Sequence, residues 1–155
     1  MRIYRICRER YAGEAYNGEG ARRYGGRWNS RGVPMVYSSS SLSLAALELF
    51  IHLEPNQAPD DLVSIAATLP DGEPALRWSP EALPPNWHND GLGTMRRLGD
   101  EWMAGLQSLA VLVPSVPIPE EWNILLNPLH ARIKELEIDS PKRFCFDPRM
   151  FSRES

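Results

Sequence analysis

The sequence predicts an α+β fold, a compact single domain of short strands with a few short helices between them. Three observations predict it. Apolar runs rich in β-formers recur, each stopped by proline, glycine, asparagine or aspartate. Two stretches, about 44–53 and 94–106, instead place apolar residues at helical spacing. Fourteen prolines in 155 residues exceed the usual ~5% and favour many short elements over long helices. The length fits one domain of ~100–200 residues. It is enough to bury a core without staples.

In chain order, Arg2–Cys7 (Arg-Ile-Tyr-Arg-Ile-Cys) reads as a strand in which Arg5 shares a parity with Ile3 and Cys7. The simplest placement is an edge strand with Arg5 in solvent. The other is an Arg5 that points into a cleft and binds an anion. Arg8 to Arg31 reads as loop, because Gly13, Gly18, Gly20, Gly25 and Gly26 suit neither a helix nor a strand interior. Long loops in small domains tend to be functional. Val33–Ser38 is a short strand, and Ser39 to Ser43 supply N-cap candidates for a helix from Leu44 that Pro55 closes.

Leu62–Leu69 is a strand between Asp60-Asp61 and Pro70-Asp71-Gly72. Residues 78–90 form a proline-rich loop. Thr94–Leu106 carries one apolar stripe, Met95, Leu98, Trp102 and Leu106, and Asp90 or Thr94 is placed to cap it. Leu109–Val113 and Trp122–Leu126 are compact apolar strands stopped by prolines. Leu129–Ile138 reads as a short amphipathic helix and Arg143–Phe146 as a last strand, with a frayed tail after Pro148.

Composition excludes several classes. Net charge is −3, with 43% hydrophobic and 24% charged residues, and a nucleic-acid footprint needs a basic face. Direct nucleic-acid binding is therefore not expected. The start lacks a secretory apolar region, and no run approaches the ~20 apolar residues of a span. With Cys7 and Cys145 far apart, the expectation is a cytoplasmic protein with reduced thiols and no membrane association. His52, His88 and His130 have no metal-ligand spacing, so no metal is expected. Neither a Rossmann fingerprint nor a P-loop occurs. Ser115 sits among prolines rather than in a nucleophile elbow.

What remains is concentrated in Gly25–His52. Gly25-Gly26 lets backbone approach a ligand. Arg27 offers a permanently charged fork suited to phosphate. Tyr37 sits near a strand end, and Glu48 lies among Leu47, Leu49 and Phe50, where a carboxylate is costly without a partner or a purpose. Singly, each has an ordinary explanation.

Read together, Gly-Gly-Arg-Trp-Asn-Ser-Arg-Gly-Val-Pro-Met-Val-Tyr-Ser-Ser, Ala-Leu-Glu, Leu-Gly-Asp-Glu-Trp, Val-Pro-Ser and Asn-Ile-Leu-Leu-Asn-Pro-Leu-His resemble the RES-domain family over about residues 1–146. The arginine, glutamate and serine of that family fall on Arg27, Glu48 and Ser115. The resemblance implies one RES domain over 1–155, with a fold similar to ADP-ribosyltransferase toxins built on a split, mixed and largely antiparallel sheet. It implies the toxin of a bacterial toxin–antitoxin pair that depletes NAD by cleaving the nicotinamide–ribose bond, through hydrolysis or phosphorolysis. NAD is then the substrate and, in the phosphorolytic case, inorganic phosphate a co-substrate, with no cofactor.

The implied partner is an Xre-like helix-turn-helix antitoxin, with a homodimer inside the complex. On this reading Glu48 steadies an oxocarbenium-like centre, Arg27 pairs with the pyrophosphate and Tyr37 stacks on nicotinamide or bonds to its ribose. Ser115, Asn29, Arg5, Gly26 and His130 are further substrate-binding candidates. Protein ADP-ribosylation and non-catalytic nucleotide binding are the alternatives. The first is weakened because Glu54 lies six residues past Glu48, too far to act as a second catalytic glutamate. An RNA-cleaving toxin needs basic residues, against which the acidic balance speaks.

Overall fold

Successive side chains of a strand point to opposite faces, and that alternation sets the architecture. The computed structural model describes residues 1–54, 58–74, 76–89 and 93–151. Among them eight strands form one sheet: β1 Arg2–Arg8, β2 Val36–Ser39, β3 Leu62–Thr68, β4 Leu76–Arg77, β5 Ala110–Pro114, β6 Trp122–Leu126, β7 Glu137–Ile138 and β8 Lys142–Phe144. Their order is β4-β5-β6-β2-β1-β3-β7, with β8 also on β3. Only β4–β5 is parallel.

Ala110, Leu112, Ile124 and Leu126 enter one apolar cluster with Ile3, Val36 and Ile65. Val111, Val113 and Leu125 enter a second cluster with Trp28, Met95 and Trp102. Both faces of the sheet are thus covered at β5 and β6, which is why β5 reads as an unbroken apolar run.

The sheet nearly divides at its middle. β1 pairs with β3 along its whole length, from Arg2↔Thr68 to Arg8↔Leu62. β2 pairs with β6 from Val36↔Leu126 to Ser39↔Asn123. Between these halves β1 meets β2 at one position, Tyr4↔Ser39. Where the ladder lapses, Arg5 substitutes for it by donating from Nη1 to the Tyr37 carbonyl at 2.6 Å. The split, mixed α+β sheet expected from the sequence is present, but β1 is an inner strand rather than an edge.

Among the described residues three α-helices complete the fold: α1 Glu19–Tyr24, α2 Leu42–Phe50 and α3 Gly93–Gly105. The Ser41 hydroxyl caps α2 by accepting the Leu44 N–H. The stretch expected to be loop contains a 3₁₀ turn, Glu9–Glu14, and α1. Glycine at both ends of α1, Gly18 at φ 76° and Gly25 at φ 70°, hid so short a helix from propensity reasoning.

The helix expected at 129–138 is a 3₁₀ turn, Ala131–Glu135, running into β7, since β3 offers its edge there. On α3 the buried residues are Met95, Gly99, Trp102 and Met103. Leu106 is exposed at φ 48° beyond the helix end. Pro55, Asp90 and the tail past Phe151 lie outside the described residues. No helix among the described residues is long and apolar enough to cross a membrane.

Gly99 marks the closest packing of α3. A Cβ there would sit 1.7 Å from the Trp28 carbonyl oxygen, so helix and loop could not keep their separation. Gly99→Ala is expected to cost about 3 kcal/mol or more, read as a lowered urea midpoint. Gly105→Ala meets nothing nearer than 3.7 Å and is expected to leave that midpoint unchanged or slightly raised.

Candidate functional site

The lapse between β1 and β2 opens into a cleft of about 670 Å³, within the ~300–1,000 Å³ usual for small-molecule sites. One wall is the 24–28 loop with Tyr37 and Arg96. The other is α2 with Glu48, and His52 just past its end, and Tyr4, Arg5, Ser39 and Asn123 form the floor.

Glu48 is fixed by the sheet. Ser115 follows β5 and is fully buried. Its hydroxyl donates to Glu48 Oε1 at 2.8 Å while accepting the Ile118 N–H at 3.2 Å. Asn123, on β6, donates to the same oxygen through Nδ2. Its own Oδ1 accepts the Ser39 hydroxyl at 2.7 Å, across the β2–β6 register pair Ser39↔Asn123. Two donors on Oε1, one of them braced from behind, leave Oε2 with no hydrogen bond from any described residue. The carboxylate is oriented by the protein and open on one side.

The glycine loop is held as firmly. The Tyr37 hydroxyl donates to Asn29 Oδ1 at 2.7 Å and accepts the Trp28 N–H at 3.0 Å. Asn29 is fully buried, and its amide donates to the carbonyls of Ala21, Ser30 and Val33. Gly26 passes so close that a Cβ would lie 2.5 Å from the Tyr37 hydroxyl and 2.9 Å from Asn29 Oδ1. Helix α3 clamps this loop from outside. Arg96 Nε donates to the Gly26 carbonyl at 2.9 Å, and Asp100 Oδ1 accepts the Ser30 N–H at 2.9 Å.

Three guanidinium groups, of Arg5, Arg27 and Arg96, line the cleft. None forms an ion pair with a described carboxylate. Arg27 donates to the carbonyls of Trp87 at 2.9 Å and His88 at 3.5 Å. Arg5 is enclosed, its Nε has no described hydrogen-bond partner, and desolvation pulls it below the usual arginine range against the opposing influence of Cys7 and Tyr16. It stays charged. Carbonyl partners satisfy N–H groups without cancelling charge, so the cleft favours an anionic ligand.

Of the residues singled out in the sequence, Arg5, Gly26, Arg27, Tyr37 and Glu48 line this cleft. Ser115 reaches it through Glu48, and Asn29 lies behind Tyr37 as an organiser of the loop. His130 is not brought there. Its Nδ1 accepts the Arg132 N–H and caps the 131–135 turn. Sequence reasoning passed over Asn123, Ser39, Arg96 and Asp100. An asparagine opening the run Asn-Ile-Leu-Leu was the available signal for Asn123, since a polar group in a buried strand needs a partner. No group of three or more His, Cys, Asp or Glu among the described residues is arranged to hold a metal.

The family model described as RES domain matches residues 2–147. Toxin Res of Yersinia enterocolitica is 38% identical over 152 residues, 97% of this chain and 99% of that protein. The Prs ADP-ribosylating toxin of Sphingobium sp. is 34% identical over 146 residues, 92% of this chain and 91% of that protein. Among solved structures, a chain of the M. tuberculosis MbcT–MbcA toxin–antitoxin complex matches with a TM-score of 0.73. That match covers 97% of this chain and 86% of the other at 20% identity, a likeness of fold.

Burial is the main reason the Tyr37 phenol is pushed well above its ordinary value, with smaller opposing effects from the Trp28 N–H, Arg96 and Arg27. An acid whose folded value is raised binds its proton in the folded state after the unfolded chain has lost it, so stability falls as pH rises through about 10. Tyr37→Phe is expected to show a shallower fall between pH 9 and 11 in urea unfolding. An identical slope in both proteins would contradict the assigned burial.

Proposed function

The chain belongs to the RES-domain family, and from that premise we propose that it is the toxin of a toxin–antitoxin pair and consumes NAD in the cleft. The observation that carries this reading is Glu48, held through one oxygen by Ser115 and Asn123 and open through the other in a cleft lined by unneutralised arginines. That is the equipment needed to bind an anionic dinucleotide and steady positive charge on its ribose.

As the C1′–N bond breaks, its electron pair leaves with nicotinamide and the ribose carbon acquires oxocarbenium character. A fixed carboxylate stabilises that charge without reorganising. Glu48 Oε2 is the oxygen available for this, or for a ribose hydroxyl. In hydrolysis a water oxygen bonds to C1′ and releases its proton. In phosphorolysis a phosphate oxygen forms the bond. Tyr37 has its hydroxyl committed to Asn29 and Trp28, so its contribution is the ring, a stacking surface. Ser115 is a positioning residue.

The second reading, ADP-ribosylation of a protein, is favoured by the Sphingobium relative's name and uses the same first step with a protein acceptor. The antitoxin, a helix-turn-helix protein, would cover the cleft, whose rim carries the exposed Tyr24 and Ile51. Such a toxin acts in the cytoplasm, where NAD is available.

Purified protein incubated with NAD, with and without phosphate, is expected to release nicotinamide by chromatography. Glu48→Gln is expected to lower the rate by about 10²–10³-fold. Asn123→Ala should lower kcat by roughly ten-fold or more with KM little changed, as for a residue that acts on the transition state through another. A folded protein that releases no nicotinamide overturns the proposal, and full activity in Glu48→Gln overturns the site. Label transferred from NAD to a protein band selects the second reading.

A further inference from the structure

Arg96 has no part in the reading above beyond lining the cleft, and its bonding is unusual for a clamp. Its Nε is tied to the Gly26 carbonyl at 2.9 Å, which fixes the plane of the guanidinium beside the glycine loop. Both Nη groups have no hydrogen-bond partner among the described residues. Asp100, four residues along the same helix, spends Oδ1 on the Ser30 N–H and forms no ion pair with Arg96. Arg27 stands on the same wall with its Nη groups directed to the Trp87 and His88 carbonyls. Both cations are close enough to the Tyr37 hydroxyl to act on its ionisation. Two fixed guanidinium groups therefore flank a stretch of backbone where Gly25 and Gly26 allow close approach, and no carboxylate neutralises either.

We propose that Arg96 binds phosphate and, together with Arg27, holds the pyrophosphate of the dinucleotide against the glycine loop. This inference rests on the NAD reading for the identity of the ligand, but not for the anion site itself. A pyrophosphate diester carries two negative charges, matching two guanidinium groups. A guanidinium pinned at Nε presents its Nη donors as a planar fork for non-bridging oxygens. Arg96 is in this way both a strut for Gly26 and a specificity determinant, favouring a nicotinamide riboside whose ribose carries a diphosphate over the bare riboside.

The test is calorimetric titration of inorganic pyrophosphate into the wild-type chain and into Arg96→Lys and Arg96→Gln. Arg96→Met replaces the glutamine variant if that variant fails to melt cooperatively. Expected is at least a ten-fold loss of affinity in the neutral variants and a smaller loss in Arg96→Lys, which keeps charge without the fork. Wild-type affinity in the neutral variant overturns the proposal. So does an equal loss in lysine and neutral variants, which marks a strut alone, and so does a wild-type chain that does not bind pyrophosphate.

In turnover, the ratio of kcat/KM for NAD to that for nicotinamide riboside should fall at least ten-fold in Arg96→Gln. If wild type binds pyrophosphate through Arg96 but releases no nicotinamide, the NAD reading fails and the anion site stands. If NAD is turned over with an unchanged ratio in Arg96→Gln, the reverse holds.

Discussion

Everything functional in this molecule depends on a missing stretch of β-ladder. The sheet is paired along its length on either side of the β1–β2 junction and at one position across it. Unpaired backbone in a buried sheet is costly, and the cost is offset locally, by Arg5 bonding to the Tyr37 carbonyl. The gap supplies a cleft that no loop rearrangement needs to create. The β1–β3 half packs one face into the first apolar cluster through Ile3, Val63, Ile65 and Ala67, while β5 and β6 feed both clusters, so each half has its own buried anchorage on either side of the opening.

Around that gap buried polar residues position the groups that face the cleft. Ser115 and Asn123 come from β5's end and β6, Ser39 from β2, and together they fix one oxygen of a carboxylate carried by α2. The facing wall repeats the scheme. Asn29 and Tyr37 organise the glycine loop from within, and Arg96 and Asp100 of α3 hold it from outside. Gly26 and Gly99 are required for sterics, since any side chain would strike Tyr37 or the Trp28 carbonyl. A site on a loop thereby gains the precision normally found on strands.

The charge arrangement runs against the protein as a whole. The chain is net acidic at −3, yet its cleft gathers three arginines whose described partners are carbonyls, not acids. Elsewhere arginines are paired conventionally, as in Arg2–Asp139 and Arg132–Glu73. Cations left unneutralised in a low-dielectric recess interact strongly with an incoming anion. Global charge speaks against an extended basic surface but says nothing about this local field.

The sequence by itself determined the fold class, the strands whose apolar runs are stopped by proline, and the cluster Gly26, Arg27, Tyr37 and Glu48, which all fall within a short span of chain. Local patterns carry such information because strand and helix periodicities and ordered motifs are written in neighbouring residues. Only the tertiary structure decided that β1 is an inner strand, that Arg5 faces the cleft, that His130 caps a distant turn, and that residues 129–138 give a 3₁₀ turn and a strand. It alone joined Asn123 and Ser39 to Glu48 and Arg96 to Gly26. Those contacts link residues tens of positions apart through sheet register and helix packing, and register is a property of which strands meet, not of any one of them.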